Sequence, residues 1–171
     1  TKKKQRIEYF SKSKHQLVGN EISCLLEDNT GVMWVGTLDG GICYFDRNSN
    51  QFNKLKTNKQ ENLKSVYSMI EHNNESIWVT STKGIAELNV DQKKMKLYTH
   101  EQGLPLVLFN NNSVGENSLG ALFYGTQNGI ISFYPQKIEL SKKFPIMTFT
   151  DISVFHHSIF DNDSIYPSIS S

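Results

Sequence analysis

The sequence of 171 residues has little of what marks several large classes of protein. It contains two cysteines, Cys24 and Cys43, and no Cys-x-x-Cys pair, which argues against a cysteine-ligated zinc site. No signal peptide opens it, and no apolar run is long enough to span a bilayer. Because the repeating pattern described below also starts and stops partway, we expect a piece of a longer chain whose targeting segments lie elsewhere.

The net charge is also small, at +1, and gives no general signal for nucleic-acid binding. Basic residues do crowd the amino terminus: Lys2, Lys3, Lys4, Arg6, Lys12 and Lys14. Such an arm could contact phosphates or anionic lipid. The basic residues are not interleaved with aromatic ones in the manner of a nucleic-acid-binding surface, and no binding motif accompanies them, so a solvated strand and loop is favoured and we expect no nucleic-acid partner.

Catalytic and metal-binding patterns are missing as well. The acidic residues sit mostly in turns and cannot be paired across a cleft, and there is no nucleophile elbow, phosphate loop or kinase phosphoacceptor context. His156 and His157 would point to opposite faces of a strand, and His15, His72 and His100 are isolated and expected in loops. We therefore expect a non-catalytic fragment that binds no metal and no cofactor.

What the chain does have is a repeat. Residues 33–37 (Met-Trp-Val-Gly-Thr), 77–81 (Ile-Trp-Val-Thr-Ser) and 122–126 (Leu-Phe-Tyr-Gly-Thr) recur about every 45 residues, and a Gly-Ile pair follows each. Aromatic residues make up 11% of the chain, and Gly- and Asn-rich turns separate short apolar runs, which favours β-strands. This period is typical of a four-stranded propeller blade, although an ordinary β-sandwich stays open as the alternative.

The sequence therefore predicts an all-β chain with a partial β-propeller of about three four-stranded blades, followed by the first strands of a β-sandwich. Residues 1–140 would hold the blades, in units of about 17–60, 61–102 and 103–138, and residues 141–171 the linker and the start of the sandwich. Residues 7–10 read as the outer strand of a preceding blade. Three blades cannot close a ring, so the piece should need the rest of its chain or a partner copy.

Eight residues define the structural repeat: Trp34, Gly36, Gly41, Trp78, Gly84, Phe123, Gly125 and Gly129. The two tryptophans could stack on a sugar ring, but their place inside strands favours packing between blades. Gly36 and Gly125 would relieve crowding where the inner strands converge.

These motifs resemble the two-component regulator propeller repeat. Residues 26–37 and 40–46 match its Glu-Asp, Gly-turn, Trp-Val-Gly-Thr and Gly-Gly-Ile pattern closely, whereas the second unit departs from it at Thr80 and at residues 73–75. Residues 103–135 resemble the last blade of the family. Residues 145–155 look like the entry strand of the small β-sandwich called the YYY domain.

The resemblance implies the periplasmic half of a hybrid two-component sensor, whose parent chain would resemble a histidine kinase. It also implies sensing of oligosaccharides from complex glycans, with the rest of the sensor chain and a second copy in a homodimer as partners. The alternative is a structural or protein-interaction propeller without a small ligand.

The best candidate for a ligand contact is the run Asn110, Asn111 and Asn112. It takes the place of an apolar inner strand, and amides both donate and accept hydrogen bonds, which suits sugar hydroxyls. The other interpretation is that these amides satisfy the loop backbone of the last blade.

Overall fold

The computed structural model describes residues 7–55, 63–138, 153–154 and 157–158, and the chain divides into two compact units. The second unit, residues 141–171, contains a short antiparallel pair formed by β12 (Ser153–Val154) and β13 (His157–Ser158). The rest of the predicted sandwich start, including His156, lies outside the described residues. The YYY domain therefore stays a prediction.

The first unit, residues 1–140, consists of three consecutive antiparallel meanders. After α1 (Lys12–His15), the first sheet contains β1 (Ile22–Glu27), β2 (Met33–Thr37), β3 (Gly41–Asp46) and β4 (Gln51–Lys54). The second contains β5 (Val66–His72), β6 (Ser76–Ser81), β7 (Gly84–Asn89) and β8 (Lys94–Tyr98). The third contains β9 (Phe109–Glu116), β10 (Leu122–Thr126) and β11 (Gly129–Phe133).

This architecture confirms the prediction of an all-β chain built from blade-like sheets. Two short 3-10 helices complete the described part, at His100–Gln102 before the third sheet and at Pro135–Lys137 after it. The third sheet shows three strands within the residues that the structure describes, where the prediction was about four per blade.

A tight turn that ends on a glycine joins the second and third strands of every sheet, with three residues between the strands in the first sheet and two in the others. Its glycine has a positive φ, which an L side chain adopts with difficulty: +90° at Gly41, +135° at Gly84 and +136° at Gly129. A hydroxyl at the end of the preceding strand donates to the carbonyl of that glycine, from Thr37 (3.0 Å), Ser81 (3.1 Å) and Thr126 (2.9 Å). The repeated Gly-Ile pair of the sequence is therefore the start of a strand that closes a tight turn.

Residues 7–10 do not form the predicted outer strand. A strand needs a ladder partner, and none of the strands that the structure describes pairs with these residues. Phe10 nevertheless packs on the first sheet, with its ring centroid 5.4 Å from that of Phe45 and 5.6 Å from that of Phe52.

Two buried interfaces hold the three sheets side by side. We call the interface between the first and second sheets the first seam, and that between the second and third sheets the second seam. Trp34 and Ile42 meet Val66, Ile77 and their neighbours in the first seam. The core of the second seam consists of Trp78, Ile85, Tyr98, Phe109, Leu122 and Tyr124. Each central strand points alternate side chains into the two interfaces that flank it, because successive residues of a strand face opposite sides.

Candidate functional site

The amide run lies in β9 and forms an enlarged bulge. In the first two sheets the inner strand carries one extra residue at this level, where Val66 pairs with Ser81 and Ser68 pairs with Thr80. In the third sheet Phe109 pairs with Thr126, and the next pair is Val114 with Tyr124. Five steps along β9 therefore stand opposite two along β10, which makes three extra residues.

Local chemistry explains why the chain bulges at this place. Asn112 has φ +50°, a left-handed conformation that asparagine tolerates better than most residues. The side-chain Nδ2 of Asn110 donates to the carbonyl of Thr126 at 3.1 Å, which ties the bulge to β10. Opposite the bulge, a Cβ at Gly125 would collide with the side chain of Ser113, so the absence of a side chain lets the bulge settle there.

All three amide side chains are exposed, and they project from one bulge of three consecutive residues. An amide offers a donor pair and an acceptor, so the bulge presents several hydrogen-bonding groups without any charge. Asn110 donates one of its hydrogen bonds to the backbone carbonyl of Thr126. This is the role in the loop backbone that the second interpretation of the sequence expected for all three asparagines. The side chains of Asn111 and Asn112 make no hydrogen bond to another described residue, so their donors and acceptors face solvent.

The two tryptophans of the repeat are not available to a ligand. Trp34 and Trp78 are each 1% exposed, in the first and second seams respectively. The indole Nε1 of Trp34 donates to Oδ2 of Asp28 at 2.7 Å, and that of Trp78 donates to Oγ of Ser76 at 3.1 Å. Both rings and both polar atoms are thus used inside the fold.

Asp28 organises the turn that follows β1. Its Oδ1 accepts the backbone N–H groups of Thr30 (3.0 Å) and Val32 (2.9 Å), and its Oδ2 accepts the indole of Trp34. Burial raises the pKa of Asp28, but the hydrogen bonds from Thr30, Trp34 and Val32 outweigh that effect and hold the pKa below its ordinary value. In the third sheet Asn117 accepts two backbone N–H groups in the same way, so this turn also works without a charge.

His72, expected in a loop, is a buried contact at the end of β5. Its Nδ1 lies 3.0 Å from Oε1 of Glu116 in β9, and a carboxylate can only accept, so Nδ1 is the donor. Its Nε2 lies 2.8 Å from Nδ2 of Asn73 and 3.4 Å from Nε2 of Gln136. This histidine joins the second sheet to the third, through a contact between residues 44 positions apart that no local pattern in the sequence indicates.

Tyr124 adds a second polar group to the same interface. Its hydroxyl is buried and has no hydrogen-bond partner in the part of the chain that the structure describes. Burial, with a further contribution from the charge of Glu116, raises the pKa of this hydroxyl above its usual range. The second seam therefore contains a polar cluster, made of His72, Glu116, Tyr124 and Gln136, at the end of β9 away from the amide bulge.

Two concave surfaces accompany these groups. A cavity of about 500 Å³ opens along the edge of β11, where its walls include Trp78, Tyr98, Leu104, Ile131 and Phe133. A more polar cleft of about 370 Å³ lies at the turn end of the first sheet. There the ammonium of Lys93 stands 4.0 Å from the ring centroid of Tyr44, so the cation already covers the aromatic face that a sugar would use.

The described ranges contain no cluster of three or more His, Cys, Asp or Glu suited to a metal ion, and no helix there has the length and apolarity to cross a membrane. Cys24 and Cys43 are both buried free thiols. Burial, as the largest influence, raises the pKa of each.

Comparisons with known proteins identify the repeat. Residues 16–39 match the model of the two component regulator propeller family. Histidine kinase P4 of Formosa agariphila is 27% identical over 115 residues, which cover 67% of this chain and 8% of that protein. Residues 16–39 are therefore similar to the two-component regulator propeller repeat.

Solved structures agree on the fold. The extracellular domain assigned to a hybrid two component system of B. thetaiotaomicron matches with TM-score 0.58 and 27% identity, over 76% of this chain and 18% of that one. The extracellular domain assigned to a one component system of the same organism matches with TM-score 0.59 and 20% identity, over 73% and 16%. This chain spans less than a fifth of the length of these relatives.

Proposed function

We propose that this chain, with its two-component regulator propeller repeat, is part of the periplasmic ligand-sensing region of a hybrid two-component sensor. The support is the match of residues 16–39 to the repeat family together with the 27% identity to a histidine kinase and to an extracellular sensor domain. In this proposal the fragment itself catalyses nothing, and the phosphorelay chemistry belongs to other parts of the parent chain.

The ligand in this proposal is an oligosaccharide, and the amide bulge of β9 makes a direct contact with it. The observation that carries this assignment is the size of the bulge: residues 110–113, three of them asparagines, stand opposite Gly125, which makes three extra residues where the other two sheets have one. Exposed amides without a charge are suited to neutral hydroxyl groups, which exchange donors and acceptors in the same way.

Strand β9 also provides a route from the ligand to the rest of the fold. The bulge lies at one end of this strand, and Glu116, which bonds His72 of the second sheet, lies at the other. A ligand that bonds Asn111 and Asn112 in one arrangement of β9 would favour that arrangement, and the second seam would respond to it. Such a shift is how occupancy would reach a partner subunit of a sensor homodimer.

Titration calorimetry with a panel of neutral oligosaccharides tests the assignment. The double variant Asn111→Ala/Asn112→Gly should lower the affinity at least tenfold, because Gly keeps the left-handed backbone while both amides are lost. The matched control is Asn20→Ala, which removes an exposed amide outside the bulge. Binding that is equal in both variants would place the ligand elsewhere, and silence across the whole panel would contradict oligosaccharide sensing.

A protein-interaction propeller is the second candidate, and one observation favours it. Phe123 and Ile130 of the third sheet are 37% and 75% exposed. Neighbouring exposed apolar side chains of this size are typical of surfaces that bind another protein. Silent glycan titrations together with capture of a defined protein partner through these two side chains would favour this candidate over the first.

A further inference from the structure

Every inner strand bulges at the same level, and in the first two sheets the extra residue contacts the sheet that follows. In the first sheet this residue is Ser23, whose Oγ donates to the carbonyl of Val66 in β5. In the second sheet it is Tyr67, whose side chain packs against the core of the second seam, which contains Phe109 of β9. Val66 and Phe109 hold the same register position, each opposite the last residue of the neighbouring strand. These contacts place Tyr67 beside the start of β9, immediately before the amide bulge.

The ring of Tyr67 is less occupied than those of the other tyrosines in the second seam. The ring of Tyr98 stacks on Trp78, with 5.5 Å between the centroids, and its hydroxyl donates to Glu87 at 2.9 Å. Tyr124 is 0% exposed. Tyr67 is half-buried, and among the residues that the structure describes no ring or cation stacks on it and none hydrogen-bonds its hydroxyl. A molecule at the bulge can therefore reach both its ring and its hydroxyl.

An aromatic ring and neutral amides are complementary parts of one kind of site. A pyranose carries hydroxyl groups around its edge and C–H groups on its faces, so its edge suits amides and its face suits an aromatic ring. Asn111 and Asn112 supply exposed amides, but the bulge itself has no aromatic residue. Trp34 and Trp78 cannot supply one, because each is 1% exposed. Tyr67 has the apolar surface that the amide bulge lacks.

We propose that Tyr67 is the aromatic platform of this site, on which one sugar ring stacks while its hydroxyl groups bond Asn111 and Asn112. This inference rests on the proposed function, which assigns an oligosaccharide to the amide bulge. Tyr67 belongs to β5 and the bulge to β9, so the ligand contacts both sheets that form the second seam. Occupancy then favours the arrangement of the second and third sheets in which both contacts are made.

Titration calorimetry with neutral oligosaccharides of glucose, mannose, galactose and xylose tests the platform. Tyr67→Leu should lower the affinity by about tenfold or more, because leucine keeps apolar packing against the second seam but removes the ring face. Tyr67→Phe should lose less than Tyr67→Leu does, because it keeps the ring and removes only the hydroxyl. The matched control is Tyr44→Leu, which removes a half-buried tyrosine that packs against the first seam and should bind as the wild type does.

The variant Tyr67→Trp reports the contact by a second signal. Its fluorescence emission should change as a sugar stacks on the indole, with the half-saturation that calorimetry gives for the same variant, whereas Tyr44→Trp should show no change. Circular dichroism spectra that match the wild type establish that each variant is folded.

The outcomes separate the platform from the function on which it rests. Wild-type affinity in Tyr67→Leu, an equal loss in Tyr44→Leu, or unchanged emission from a Tyr67→Trp chain that binds would each overturn the platform. The amide assignment survives those results if Asn111→Ala/Asn112→Gly still weakens binding. A wild-type chain that binds none of these sugars would contradict the proposed oligosaccharide sensing, and the platform with it.

Discussion

The two seams of this chain come from the same repeat and use different chemistry. In the first seam side chains hydrogen-bond the backbone of the other sheet: Oγ of Ser23 donates to the carbonyl of Val66, and the carboxylate of Glu71 accepts the backbone N–H of Asn29 at 3.1 Å. In the second seam His72 and Glu116 form a hydrogen bond between two side chains, which crosses from one sheet to the other. Blade repeats therefore fix which strands face each other but leave the contents of each interface free to vary.

Packing differs along with polarity. The first seam is closed at its outer edge by Met95 and Leu97 of β8, whereas the second seam borders a cavity of about 500 Å³ along β11. The second seam also contains the buried hydroxyl of Tyr124 and the hydrogen-bonded His72, two polar groups that lie among its apolar side chains. We therefore expect the second seam to be the weaker interface and the one that a ligand on β9 could rearrange.

The largest expected effect is from truncating the tryptophans. Trp34→Ala should lower the free energy of unfolding by about 3–5 kcal/mol, because it leaves a large cavity and also removes the partner of Asp28. Trp78→Ala should cost about 1 kcal/mol less, since Trp78 already borders open space. Urea unfolding at one fixed protein concentration, followed by the remaining tryptophan, gives both values. Equal losses would contradict the difference in packing between the seams.

Adding a methyl group tests how tightly the first seam is closed. A Cβ at Gly36 would lie 2.6 Å from Sγ of Cys24 and 2.7 Å from Cγ1 of Val66, which belongs to the second sheet. Gly36→Ala should therefore cost about 1–3 kcal/mol of unfolding free energy in the same titration. Gly115→Ala is the control, because a Cβ there meets no atom within 4 Å. A loss of equal size in the control would show that the cost of Gly36→Ala does not come from the contacts of the added Cβ.

Removing the contact between sheets tests the polar second seam. Glu116→Ala should lower the free energy of unfolding by about 1–2 kcal/mol, because the Nδ1 of the buried His72 loses its acceptor. Glu116→Gln, which keeps an acceptor, should recover most of this loss. Arg47→Ala breaks a pair whose side chains are 70% and 54% exposed, and should cost less than about 0.5 kcal/mol. If both alanine variants lose the same amount, the link contributes no more than a surface pair.

The smallest effect is a pH dependence located at the first seam. Since the folded-state pKa of Asp28 is lowered, its contribution to stability is complete above the unfolded pKa, about 3.9, and is lost as the pH falls through the folded value. Asp28→Asn should therefore flatten the decline of the urea midpoint below about pH 4. Asn117, which holds the equivalent turn of the third sheet without a charge, predicts that the variant still folds. An unchanged slope would assign the acid sensitivity to other carboxylates.

Most of the strand positions could be read from the sequence because they follow from local patterns. Residues 33–37 and 77–81, for example, fall within β2 and β6. Residues 7–10 are an exception: they have the alternating pattern of a strand, but no strand that the structure describes pairs with them, and a pattern alone does not predict pairing. The candidate site could be predicted from the sequence only in part. The three consecutive asparagines are evident in the sequence, whereas the size of their bulge depends on how β9 pairs with β10.

The sequence by itself determined the repeat length, the turns at Gly41, Gly84 and Gly129, and the apolar side chains that the sheets share. These follow from backbone sterics and strand periodicity, which act over a few residues. Only the tertiary structure decided that His72 meets Glu116 and that Leu25 is exposed while Met69 is buried. Such outcomes depend on which sheet lies alongside, and chemically similar residues reach different burial because their neighbours come from distant parts of the chain.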